Sequence, residues 1–303
     1  MIDLHFEAFD HSKQLNMKLL LLSFLCCTIF GTSEVVKSDS VAFVTAQWQV
    51  TELEKGAKVM CAQISMFNST QSICVVKYPM KKFRTEILNR PGKTAGKASK
   101  VGEEVHAAFM LNAGYFNVKQ RVTSVHLMKE GQVLGYTAPN ELGRVDALLG
   151  FKDKKGRKVM IKHVQDTSKY VDVAFGWRES IASGPLLMVD GEIQVPVRMI
   201  QSYPYDEFYD KRHPRTAFGV DDKGNAYLVV IDGRFKGQAD GASVYETAYI
   251  CRLLGMTDVI NLDGGGSSTL WTRQTGVVNH PSDNRQFDHA GERVIPTFIA
   301  VYR

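Results

Sequence analysis

The chain has no C-x-x-C, no H-x-H or H-x-x-x-H, and no internal repeat. The first two absences remove the usual sequence frameworks for a structural zinc site or a paired-histidine metal centre. The third, with no low-complexity tract and no long linker, excludes a solenoid or a beaded array. There is also no G-x-G-x-x-G, and no Lys-Ser/Thr pair follows the glycines at 264–266. Nucleotide folds place a glycine loop between a strand and a helix N-terminus, an order this chain does not show. Near the amino end LLLLSFLCCTIF (19–30) is apolar. It falls short of the roughly 20 residues a membrane helix needs. The net charge of +5 is mild. Much of the basic excess lies in KKFRTEILNRPGKTAGKASK (81–100), without the helical register or stacking aromatics that suit a nucleic acid. No nucleic-acid partner is expected.

What is present is an ordinary globular composition: 303 residues, 44% hydrophobic and 23% charged, enough for a real core. Met17-Lys18, the apolar 19–30 stretch and a small polar exit read as a secretory signal over 17–33, with residues 1–16 an upstream start extension. Export is therefore expected, to the periplasm, the cell surface or the medium. A membrane association follows only if Cys26 or Cys27 carries a lipid. Cys61 and Cys74 flank SMFNSTQS, and a turn near Phe67–Asn68 sets them opposite each other. Either a disulfide or two buried thiols fits that spacing.

From 41 to 80 the sequence alternates as strands with a hairpin, and 81–104 reads as a polar loop. Further strands are expected over 107–117, 124–136, 147–163, 183–193 and 293–302. The stretch 215–234 is a hairpin around Asp221 to Asn225. Ser243 to Leu254 carries apolar residues at helical spacing, with Gly255 as its C-terminal stop. The fold class is α+β: a strand-rich mixed sheet with few helices and an active site at strand ends. Residues 34–104 form an N-terminal strand-rich part of the same body as 105–303.

The segment DVINLDGGGSSTL (258–270) raises the functional question. Its triple glycine serves either as a nest of N–H groups for an anion or as a tight turn beneath a crossing strand. Asn112, Arg215, Asp232 and Arg293 sit at other strand ends. Glu246 completes the pattern Ser-x-x-Glu, so helix capping and catalysis compete for one carboxylate.

Taken in order, 215–234, Glu246 and NLDGGGSSTLW resemble the phosphodiester glycosidase family, supported by N-x-G-x-F from Asn112, Ser183-Gly184 with Asp190-Gly191, and the closing stretch from Arg293. The resemblance spans about residues 105–303 and suggests an exported bacterial relative. It implies hydrolysis of a sugar-1-phosphodiester between the anomeric carbon and oxygen, giving free sugar and a phosphomonoester. The partner is then a carbohydrate phosphodiester on a glycan or cell-envelope polymer, and no cofactor is expected. In that reading Glu246 and Asp263 are the catalytic carboxylates. Arg215, Arg293 and Gly264, Gly265 and Gly266 hold the phosphate. Asn112, Gly114, Ser183, Gly184, Asp232, Asn261 and Ser267 complete the substrate site. Two other readings stand beside it. One is a metal-dependent phosphodiesterase built on Asp232, Asp263, His213 and His280; the other is a cell-surface glycan-binding protein stacking sugars on Trp48, Trp177 and Trp271.

Overall fold

The computed structural model describes residues 38–195 and 206–303. The signal-like stretch at 17–33, with Cys26 and Cys27, lies outside the described residues. Two units separate between Thr45 and Ala46. Of the first, residues 38–45 are described, and they are helical. The alternation read over VAFVT is therefore a helix. Five residues are too few to separate a period of two from one of 3.6.

Residues 46–303 are a strand-rich α+β body built on an eight-stranded sheet and two five-stranded sheets. The large sheet is antiparallel at every pairing. At its centre Arg215–Val220 lies between Asn225–Ile231 and Asp258–Asn261. The hairpin expected at 215–234 is thus present, closed by Asp221, whose carboxylate accepts from the Lys223 and Asn225 amides. Lys58–Met66 and Ser69–Pro79 form the second hairpin. Its turn residues Phe67 and Asn68 are both left-handed, as a two-residue turn between twisted strands requires. That register makes Cys61 and Cys74 direct partners, and they are joined by a disulfide.

One five-stranded sheet contains Leu270–Thr272, Phe109–Asn112, Thr297–Tyr302 and Arg84–Asn89 in that order. Arg84–Asn89 corrects the loop expected over 81–104, and a helix, Ala98–Glu104, follows it. In Arg84–Asn89 the fully buried Thr85 and Ile87 alternate with charged Arg84 and Glu86, which face more open positions. The high charge of the segment hid this period. The sheets meet through aromatic contacts: Phe151 packs edge-on to Phe218, and Tyr78, Phe83 and Phe109 form a cluster. Burying each such ring contributes about 2–3 kcal/mol. Among the described residues no helix is long and apolar enough to cross a membrane.

Candidate active site

The strand Asp258–Asn261 ends beside the opening of Arg215–Val220 and the end of Phe109–Asn112. Here the chain leaves the large sheet for the small one. The Leu262 amide donates to the Thr216 carbonyl and the Asp263 amide to the Ala113 carbonyl. Asn112 holds this crossing from behind. Its Nδ2 donates to the Asp263 carbonyl at 2.5 Å, and its Oδ1 accepts from the Thr216 hydroxyl and the Thr269 amide, each at 3.0 Å. Asp263 is thereby fixed at the mouth of a cavity of about 250 Å³.

Among the described residues four arginines line that cavity, Arg144, Arg215, Arg234 and Arg293, with Tyr115, His213 and Gly264 to Gly266. Arg144 lies over the Tyr115 ring at 4.0 Å and donates through Nε to the buried Glu141 at 2.7 Å. Arg215 is buried and donates to the backbone carbonyls of Ala242, Phe208 and Lys211, and among the described residues no carboxylate forms a salt bridge with it. Burial pulls its guanidinium down to about 10, which still leaves it charged at neutral pH. Arg293 pairs with Asp283. Arg234 is in the left-handed region at φ 72° and projects over the glycine loop. Among the described residues Asp263 is the one carboxylate that lines the cavity. Burial pushes its carboxyl up to about 6, against the opposing pull of Ser267, Arg144 and Arg293. The Ser267 hydroxyl beside it is itself buried without a hydrogen-bond partner of ordinary geometry.

Of the residues singled out in the sequence, Asp263, Gly264, Gly265, Gly266, Arg215 and Arg293 converge on the cavity. His213, named in the metal reading, lines it too; the remaining residues of the glycosidase reading do not. Glu246 is held by the helix N-terminus and by Arg212. Its Oε2 accepts from the Ser243 amide at 2.8 Å, and Arg212 reaches both of its oxygens. The capping box is complete, and the carboxylate is committed to it. Asp232 is buried in another network, accepting from Ser72, Asn279 and both the amide and ring of His280. Ser183 and Asn261 brace the floor: the Ser183 hydroxyl donates to the Asn261 carbonyl, and Asn261 Nδ2 donates to the Gly184 carbonyl. The backbone of Gly184 lies against Arg144 and Asp146, where a Cβ would meet the Arg144 carbonyl at 2.5 Å. Gly114 packs against Ile181 in the same way. The glycine nest is also smaller than expected. Only Gly265 has a positive φ, and its amide donates to the Pro214 carbonyl.

The four residues of the metal reading are divided: Asp263 and His213 line the cavity, whereas Asp232 and His280 pair elsewhere. Among the described residues no three His, Cys, Asp or Glu side chains gather as a metal set. Trp177 and Trp271 are packed in the core, which withdraws them from sugar stacking. Sequence reasoning missed Arg144, Arg234 and Tyr115. Arg234 had a signal in the strand-end triplet Asp-Gly-Arg; Arg144 had none.

The fold and the cavity together define a strand-rich α+β protein with an arginine-walled cavity around Asp263. A model of the phosphodiester glycosidase family matches residues 106–302, and the chain belongs to that family. Its similar relatives include the N-acetylglucosamine-1-phosphodiester alpha-N-acetylglucosaminidases of Bos taurus and Mus musculus, each 34% identical over 82 residues. That match takes in 27% of this chain and 15% of each relative. Among solved structures, the zebrafish N-acetylglucosamine-1-phosphodiester alpha-N-acetylglucosaminidase catalytic domain, auto-inhibited by pro-peptide, superposes with a TM-score of 0.64 at 18% identity. The superposition covers 89% of this chain and 92% of that one. A putative exported protein of Burkholderia pseudomallei superposes with a TM-score of 0.57 at 15% identity, over 78% and 74% of the two chains. These likenesses establish the shared fold.

Proposed function

We propose that the protein is an exported hydrolase that cleaves the glycosidic bond of a sugar-1-phosphodiester. The observation that carries this reading is Asp263 facing a cavity walled by four arginines. A phosphodiester is a monoanion, and Arg215 and Arg234 offer it guanidinium groups that, among the described residues, form no salt bridge with a carboxylate. Asp263 stands beside them to act on the sugar carbon. Asp263 takes a proton from water, the water oxygen bonds to the anomeric carbon, and the carbon–oxygen bond to phosphate breaks. The bonding pair leaves with the phosphate, which departs as a phosphomonoester. Developing charge on that oxygen is stabilised by the arginines, so a second carboxyl acid is not required. Glu246, whose oxygens serve the helix cap and Arg212, supports the fold under this assignment.

Export is supported by the Cys61–Cys74 disulfide, which persists in oxidising compartments. The test of the chemistry is hydrolysis of methyl phosphodiesters of N-acetylhexosamine and hexose 1-phosphates in heavy-oxygen water. Label in the sugar and loss of turnover in Asp263→Asn are expected. Turnover should rise as pH passes upward through about 6, where Asp263 becomes ionised. Label in the phosphate, or an active Asp263→Asn enzyme, overturns the assignment.

A further inference from the structure

The segment from Asn279 to Arg293 borders two cavities. Arg293 reaches the anion site, while His280, Phe287 and His289 line a separate groove of about 650 Å³. The chemistry of the two is opposite. Among the described residues no Lys, Arg, Asp or Glu lines the groove. Its other wall presents the amides of Gln47, Gln49 and Gln63 and the hydroxyl of Thr51. The disulfide Cys61–Cys74 forms part of this wall and ties its two strands together.

The imidazoles are held in defined orientations. Asp232 is buried, and its two oxygens accept from Ser72, Asn279 and the His280 amide. The remaining contact, His280 Nδ1 to Oδ2 at 3.0 Å, must therefore be donated by the ring. His289 Nδ1 lies 2.7 Å from the Asn279 carbonyl, an acceptor only, so it donates as well. Each neutral ring then offers its Nε2 as an acceptor. His280 is stacked between Phe287, at 3.8 Å, and His289, at 4.6 Å. None of these rings lines the cavity that holds Asp263.

We propose that this groove binds a neutral saccharide. Planar amides and fixed imidazole acceptors suit the paired donors and acceptors of sugar hydroxyls. Aromatic ring faces suit the C–H face of a pyranose. The missing charge removes the anion preference that governs the neighbouring cavity.

The experiment is saturation-transfer NMR and calorimetric titration of the folded chain with chitotriose, maltotriose and mannotriose, and with trigalacturonate as the acidic counterpart. At least one neutral trisaccharide is expected to bind, and His289→Ala and Gln49→Ala should each weaken it about tenfold, the loss of one good hydrogen bond or ring contact. Both positions are exposed, so the variants should fold. Their turnover of a methyl sugar-1-phosphodiester should stay within about twofold of the parent. Binding by none of the neutral sugars, unchanged binding in both variants, or preference for trigalacturonate overturns the proposal. Failure of the parent to hydrolyse any phosphodiester would instead remove the proposed hydrolysis and leave the groove's occupancy to be read from the titration.

Discussion

Replacing Asp263 by Asn should stabilise the protein while stopping the chemistry assigned to it. The carboxyl is raised from an ordinary 3.8 to about 6, chiefly because burial penalises its charge, and the pull of Ser267, Arg144 and Arg293 only partly offsets that. Below an ordinary carboxylate pKa both folded and unfolded chains hold the proton, and the group costs nothing. As pH rises from about 4 to 6 the unfolded chain releases the proton while the folded one keeps it, so stability falls. Above that window both are ionised and the deficit is constant, at about 3 kcal/mol for a shift of this size. Solvent entering at the cavity mouth screens part of it, leaving about 2–3 kcal/mol. Asn has the same shape and carries no charge, so it relieves this cost.

For a domain of this length, about 2–3 kcal/mol corresponds to a rise in melting temperature of roughly 5–10 °C near neutral pH. The assay is a pair of melting curves for parent and Asp263→Asn across the acid range. The gap should be widest at neutral pH and close as pH falls toward about 4. A variant that melts at or below the parent at neutral pH refutes the reasoning. So does a gap that does not narrow in acid, because an isostere that merely packs better would act at every pH.

Gly266→Ala would set a methyl group 2.3 Å from Arg293 Nη2 and 2.6 Å from Asp283 Oδ1, so the ion pair must open. The expected result is a KM about tenfold higher with little change in melting temperature, measured by steady-state kinetics and a thermal melt. Glu246→Gln should do the reverse: a loss of about 1–3 kcal/mol in urea titrations as the Arg212 pair and half the capping box weaken, with kcat within about twofold. A large fall in kcat at unchanged stability would return Glu246 to the reaction. Changing both Cys61 and Cys74 to Ser should cost about 2–3 kcal/mol of unfolding free energy and leave turnover of small phosphodiesters intact.

Local patterns carried the fold further than the site. The 215–234 hairpin, the 243–255 helix with its cap, and the strand before the glycines all depend on residues within a few positions of one another. The site depends on where side chains point after the strands end. Asp232 and Arg234 are two residues apart, a spacing that shares a face while a strand continues. The strand ends at Ile231, and the left-handed Arg234 redirects the chain. One side chain then enters the His280 network while the other enters the arginine-lined cavity. Arg144 was still less legible. It is held by Glu141 and Tyr115, and nothing in the sequence around it announces an approach to Asp263, 119 positions later by numbering.

Glu246 shows how a local pattern bears on the proposed assignment. Ser243-x-x-Glu246 required the carboxylate for the helix N-terminus, and Arg212 then closed around the same oxygens. A carboxylate so engaged is a poor acceptor for a water proton, whereas Asp263, whose backbone alone is fixed by Asn112 and Ala113, leaves its side chain to the cavity. The same logic explains the three glycines. Gly264 lies where a Cβ would meet the Pro214 carbonyl at 2.6 Å, Gly265 where it would meet Arg234 Nη2 at 2.9 Å, and Gly266 against Arg293. Bare backbone is needed there chiefly because a neighbouring strand end and two guanidinium groups close over the loop. The amides were the obvious anion donors in the sequence, yet the guanidinium groups that crowd them carry most of the positive charge a phosphodiester would meet.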